Sequence, residues 1–412
     1  MKKILLFITL FFTLQLQASK TINQIIAQAK PGSKIELPEG VFKGPIVIDK
    51  PLILMGIGKQ SIIEGDENGT VITIKSSYVT IENLTIRGSG FQRYSLDSGV
   101  RADNALHVEV KNCHIGKSLF GIIFHNISNS KIINNTITSY KEKVVDNRGD
   151  GIRLWNSYDN LIANNHLFES RDLSLSRSNN NKIINNILES GRFGILINMS
   201  HDVSIDTNKI YSNYAGIRLK GSKNIDINNN QIVKTHFSTG SGIMIEGGKN
   251  IHVTHNVLTG HSQAFFIDSS TAEIGRQRYI EYNKILNNNV AFHFHQAIKN
   301  NTIKYNNIIG NLEDVVKDMR GGKYYKNDIE MNYWNRYIGF DKNGDGISDI
   351  PYQVLIYGDQ IWQFAHHTKF FYATPLLSVI DLLERIAPFS TPVLLLEDTK
   401  PKTKPVSITK KL

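Results

Sequence analysis

Isoleucine, leucine and valine recur along the chain in short runs that alternate with polar residues, each run closed by Asn, Gly or Ser. The clearest phrase is Ile-x-x-Asn-x-Ile, with asparagines at Asn135, Asn165, Asn186, Asn208, Asn230, Asn256, Asn283 and Asn307. The same phrase stands upstream at Val79 to Ile86 and Val108 to Ile115, with Leu84 and Cys113 in the asparagine column, so ten turns are legible. A second column has a small residue before alternating apolar positions: Gly121, Gly151 to Leu154, Gly194 to Ile197, Gly216 to Leu219, Gly242 to Ile245, Ala264 to Ile267 and Ala291 to Phe294. Period-two alternation over so few residues, repeated about every 22 positions, predicts strands; helical repeats need longer segments of 3.6 period.

One such strand cannot bury its apolar face alone. Coils stacked about 4.8 Å apart give a continuous apolar interior and pair every backbone group except those at the ends. The predicted fold is therefore an all-β, right-handed parallel β-helix. Asparagine fits its tight corners, because it tolerates the left-handed conformation and its amide can bond the rungs above and below. Exposed end strands need covers. Helical periodicity over Thr21 to Lys30, stopped by Pro31-Gly32, predicts an N-terminal helical cap, with strands from Ile35. The aromatic-rich stretch Tyr324 to Tyr372 is expected to close the last coil.

Composition narrows the setting. With 41% hydrophobic and 20% charged residues among 412, disorder is excluded. A single cysteine, Cys113, rules out an internal disulfide or a cysteine-based cluster, and fits a core slot in the Asn column. Met1-Lys2-Lys3, the apolar run Ile4 to Leu16 and Gln17-Ala18 have the three regions of an export signal, expected to end at residue 18; the run is short for a membrane span. Removing Lys2 and Lys3 takes the formal charge from +10 to +8, much of it in Lys400, Lys402, Lys404, Lys410 and Lys411. Such a tail suits an anionic membrane surface. The expected division is 1–18 signal, 19–330 β-helix with its cap, 331–375 capping region, and 376–412 docking segment with basic tail.

Four motifs carry candidate chemistry. Asp341, Asn343, Asp345 and Asp349, with the Ile347 carbonyl, place oxygens at alternate positions with Gly346 after the third, as in a calcium loop; Tyr352 replaces the EF-hand glutamate, and the alternative is a polar turn. Thirteen histidines and six methionines raise copper. In the second column the outward positions hold Met244, Phe266 and His293 and, two places on, Glu246, Asp268 and His295. Met244, Asp268, His293 and His295 are thus candidate ligands, against solvated surface side chains; His252 with His255 is another pair, and His366-His367 a weaker one. Asp146, Asp150, Arg148, Arg153 and Arg171 near the insertion 139–149 are the carboxylates and cations that a β-helix acting on acidic polysaccharide requires. Leu376, Leu377, Val379, Ile380, Leu382, Leu383 and Ile386 have helical spacing with Asp381, Glu384 and Arg385 between them, predicting an amphipathic helix that docks on a membrane or permease or packs on the rod.

Asn332-Tyr333-Trp334, then Asp341 to Asp349 and Pro351-Tyr352 after an Asn-rich β-helix, resemble the NosD family of nitrous oxide reductase maturation factors. Pro31-Gly32, Ile35, Leu37-Pro38, Gly40, Phe42, Gly44, Lys50-Pro51-Leu52, Leu54 and Gly56 resemble that family's opening coils, and Pro375-Leu376, Glu384 and Pro388 its exit segment. Asn335 and Asn343 stand where the family tends to have Asp. The resemblance implies a periplasmic, membrane-associated, non-enzymatic accessory protein of an ABC transporter. Its implied partners are the permease NosY, the ATPase NosF, the copper chaperone NosL and nitrous oxide reductase, whose copper sites it would help mature. The alternative is a secreted β-helix that binds or cleaves polysaccharide.

Overall fold

The computed structural model describes residues 21–57, 60–141, 144–234, 240–268, 277–318, 326–356 and 392–409, with 374, 375, 379 and 383 as single positions. The export signal, His366-His367 and the docking residues Leu376, Leu377, Ile380, Leu382 and Ile386 lie outside them. Val379 and Leu383 are helical and exposed. No helix among the described residues is long and apolar enough to cross a membrane.

Among the described residues, short alternating segments wind into three parallel sheets, two of 13 strands and one of 12, each strand pairing with its counterpart one coil away. The opening coil is typical: Ser33–Leu37 in sheet 1, Gly40–Lys43 in sheet 2 and Ile46–Ile48 in sheet 3. Inward residues stack into one apolar interior from Ile22 to Leu396; the sheet 3 column runs Ile122, Ile152, Leu173, Ile195, Ile217, Ile243, Phe265 and Phe292, all nearly inaccessible. Identical burial in coil after coil is why one face of each strand reads Ile, Leu or Val throughout.

The helix Ile22–Gln28 begins at Thr21, which forms a capping box with Gln24, and buries Ile22 and Ile26 against the first coils. Strands start at Ser33, two residues before expectation.

The far end differs more. After Tyr333–Trp334 the strand Tyr352–Ile356 pairs antiparallel with Val393–Asp398, and the tail then lies across the last coil. Thr399 N–H donates to the Ile329 carbonyl at 3.1 Å and Lys402 N–H to that of Asn332 at 2.9 Å; Asn307 exchanges two bonds of 2.8 Å with Val406. Residues 392–409 therefore belong to the cap. Lys400, Lys402 and Lys404 sit at the rod's end instead of on a separate basic tail, which corrects the 376–412 division. Lys410 and Lys411 lie outside the described residues.

Candidate functional site

The three corners of a coil are unequal, and this places the site. Between sheets 1 and 2 the corner is two residues in every coil from 83–84 to 331–332. Its first residue is left-handed, from Asn83 at φ 54° to Met331 at φ 63°. Its second is buried and, from Asn135 onward, an asparagine. Asn208 Oδ1 accepts both the backbone N–H of Asn186 at 2.8 Å and its Nδ2 at 3.0 Å, while Asn208 Nδ2 donates to the Ile183 carbonyl at 2.9 Å. The rung after Asn283 is Asn306, not Asn307, because Ile303-x-x-Asn306-x-Ile308 keeps the register. Asn332 follows, and Asp398 ends the ladder: its Oδ2 accepts from Asn332 N–H (3.1 Å), Asn332 Nδ2 (2.9 Å) and Trp334 Nε1 (2.9 Å). Cys113 fills a rung as expected, its N–H bonded to Asn135 Oδ1 at 2.9 Å; burial pushes its thiol up to about 12, so it is chemically quiet.

Both corners bordering sheet 3 vary. From sheet 2 into sheet 3 they lengthen to 88–97 and 139–151; from sheet 3 back to sheet 1 they reach 269–277 and 318–327. Sheet 3 is the face flanked by insertions, and its outward rows hold the chemistry. Register gives one row as Arg101, Ile123, Arg153, Ser174, Leu196, Arg218, Met244, Phe266, His293. The neighbouring row holds Asp103, His125, Trp155, Glu246, Asp268 and His295.

The copper candidates separate on this ladder. Met244 and His293 stand two strands apart, about 9–10 Å from backbone to backbone, with Phe266 between them. Asp268 is paired beside His295, but both His293 and His295 turn to Asp318, one coil further: His293 Nε2 lies 2.6 Å and His295 Nδ1 3.2 Å from its carboxylate, and His293 Nδ1 faces Gln263 Oε1. Burial would raise Asp318, but the hydrogen bonds and charges of the two imidazoles win and hold it below the usual carboxylate range. Extending the row by one coil would have found Asp318 in the sequence. His252 stacks on Tyr279 (ring centroids 4.4 Å) and His255 on Tyr282 (5.3 Å). Among the described residues, no three His, Cys, Asp or Glu side chains converge as a metal set.

That holds also for the Asp341 loop. Its donors are the hard oxygens calcium takes, yet they are turned to the loop's own amides. Asp341 accepts from Gly344, Asp345 and Gly346 N–H, Asn343 from Asp345, Asp345 from Ile347, and Asp349 from Lys342. Gly344 and Gly346 have φ of 77° and 80°, which only glycine adopts without strain. Buried Ser348 anchors the loop, with its Oγ 3.1 Å from Phe340 N–H and 2.8 Å from the Tyr337 hydroxyl.

The carboxylate and arginine group does assemble, with additions. Arg171 Nε lies 2.8 Å from Asp150, which also accepts from Ser174 Oγ at 2.8 Å; Arg192 binds Asp172 and reaches Asp146 at 3.2 Å. Arg93 donates to the Asp146 and Arg148 carbonyls, and Arg148 to that of Ser190. Arg153 is not among them. Asp172 was missed although it occupies the glycine column. At Gly194 and Gly216 a Cβ would meet an isoleucine methyl at 2.4 Å; at Asp172 the pairing slips by one residue, which makes room. Burial first, then the Asp150 charge, push Asp172 up to about 6 despite Arg192. These ion pairs fasten the insertion 139–151 to its neighbours, and every arginine within them is engaged.

Comparison with known proteins fits this architecture. The model of the NosD family, described as periplasmic copper-binding protein, matches residues 134–339, half of the chain, and a right handed beta helix region matches 68–198.

The chain belongs to the NosD family.

Two NosD proteins, each named a probable ABC transporter binding protein, are similar over nearly the whole length. The one from Pseudomonas aeruginosa is 23% identical over 90% of this chain and 88% of its own, and that from Stutzerimonas stutzeri 22% over 90% and 87%. The A-module of the Azotobacter vinelandii mannuronan C-5 epimerase AlgE6 superposes with a TM-score of 0.61 at 15% identity, covering 73% of this chain and 91% of that one. That likeness is one of fold.

Proposed function

We propose that this protein is the periplasmic binding component of an ABC transporter, a non-enzymatic scaffold that serves maturation of the copper sites of nitrous oxide reductase. The observation that carries the reading is similarity, over 90% of the chain, to two NosD proteins each named a probable ABC transporter binding protein. The geometry is compatible: a stiff stack with one chemically varied face, whose last coil is bound to residues on both sides of 357–391. Force from ATP hydrolysis in NosF, passed through NosY to the helical stretch that includes Val379 and Leu383, would move the rod as a body. Copper would then be cargo offered by NosL, with His293 and His295 as the nearest imidazole pair once Asp318 gives way. Calcium at the Asp341 loop would be structural and would require the carboxylates to exchange backbone amides for the ion.

Affinity purification of the tagged full chain from detergent-solubilised membranes tests this reading. Recovery of a permease and an ATPase, and a nitrous oxide reductase lacking copper in a deletion strain, are the expected results. Neither partner recovered and a reductase with full copper would overturn it.

A further inference from the structure

The N-terminal half of sheet 3 is walled on one side by a braced shoulder. Phe91 stacks on Tyr140 at 4.3 Å, the Tyr140 hydroxyl donates to the Ser89 carbonyl at 2.5 Å, and Leu119, Phe120 and Ile123 form a small core of their own with Leu96 and Tyr140. Beside this wall the Arg153 guanidinium lies 5.3 Å over the Trp155 ring and 6.0 Å from that of Phe120. Trp155 is 39% exposed.

Arg153 differs from its neighbours in charge balance. Arg101 is 2.8 Å from Asp103, Arg171 from Asp150 and Arg218 from Glu246, and Arg192 is paired with Asp172. Among the described residues Arg153 has no carboxylate within 4.0 Å. Along the two outward rows Arg101 is balanced by Asp103 and Arg218 by Glu246, which leaves Arg153 between them without a carboxylate of its own. An unpaired cation fixed on an exposed tryptophan is complementary to a carboxylate. Trp and Arg are also the residues that dominate protein interfaces. A sugar ring would need a bare aromatic face, whereas Arg153 lies over Trp155 and Phe91 is stacked against Tyr140.

We infer that Arg153 and Trp155, backed by the stacked Phe91 and Tyr140, form the docking point for an acidic segment of a protein partner. This inference rests on the accessory-protein reading, and adds a contact at the opposite half of the rod from the cap.

Fluorescence anisotropy of a labelled short poly-glutamate peptide with the full mature chain tests it. Arg153→Glu should weaken binding at least about tenfold and Trp155→Ala about fivefold, while Lys209→Gln on sheet 2 changes nothing. Arg153→Gln, which keeps the aliphatic stem over Trp155, guards against misfolding and should still weaken binding. Equal losses in all variants, or no binding by the unaltered chain, would overturn the assignment. So would tighter binding of an oligomannuronate through the same two residues, which would make the surface a carbohydrate site. Recovery of transporter subunits with Arg153→Glu is a separate readout: it tests the accessory reading, whatever the peptide does.

Discussion

The edge between sheets 1 and 2 and the face of sheet 3 solve opposite problems with the same coils. The edge repeats one two-residue corner from 83–84 to 331–332 and spends its asparagine side chains on the backbone and on one another. The face keeps its inward isoleucines but varies its outward residues and its corners. Because each coil pairs only with its neighbours, stability can reside in the repetitive edge while the other side accepts insertions and charge. Chemistry in such a rod should be sought where the repeat is broken.

The largest test of this contrast is Asn208→Ala. It removes the acceptor of the buried Asn186 N–H, one of the three acceptors around Asn186 Nδ2 and the amide donor to the Ile183 carbonyl, and should lower unfolding free energy by about 2–4 kcal/mol. Leu196→Ser, on the sheet 3 face, should cost less than about 1 kcal/mol in the same urea titration. Similar losses would erase the distinction.

Next is Asp172→Ala, which takes the buried one of its two carboxylates from Arg192, leaves it only the exposed Asp146, and should cost about 2 kcal/mol. Limited proteolysis should then cut within 139–151 faster than in the unaltered chain. Unchanged cleavage would mean that the ion pairs do not hold the insertion.

Acid sharpens the comparison. His261 takes a corner position where Asn288 and Asn311 carry on a second ladder. Its Nε2 bonds the Ile232 carbonyl at 3.1 Å, and burial pushes its pKa down from 6.5 to about 4. The unfolded chain therefore binds this proton first, so the stability is complete above 6.5 and falls as pH drops from 6.5 toward 4, by up to about 3 kcal/mol. Asp172, raised to about 6, acts in the opposite sense, gaining stability as pH falls from 6 toward 3.8. His261→Asn should remove the acid loss and leave the Asp172 gain, seen in thermal unfolding across this range.

The smallest effect concerns the cap. Calcium should raise the melting temperature by a few degrees, as expected for a ligand at about 100 times its Kd, and Asp345→Ala should abolish the shift. No shift in either chain would leave the loop a turn held by its own amides.

Much of the rod was legible because its signals are periodic. The asparagine phrase, the glycine column and the outward row Met244, Phe266, His293 follow from a repeat in which each residue meets its equivalent one coil on. What escaped lacks that period. Asp172 breaks the glycine column through a slip in pairing, and Asp318 stands one coil beyond the apparent end of its row. Asp398 meets Asn332 across 66 residues of sequence, a contact that no local pattern announces. The lysines read as a free basic tail are held for the same reason, by backbone bonds from Thr399, Lys402 and Val406 to the last coil. The candidate ligands suffered from a different gap: a row shows which side chains are neighbours, but not that Asp318 draws both imidazoles to itself.

Hydrogen exchange of the full chain, resolved to single corners, tests the division of labour most directly. The amides of Asn165, Asn186, Asn208 and Asn230 should exchange slowest, near the limit of global unfolding, and those of 88–97 and 139–151 fastest. Ladder amides that exchange as fast as the 139–151 corner would contradict the account.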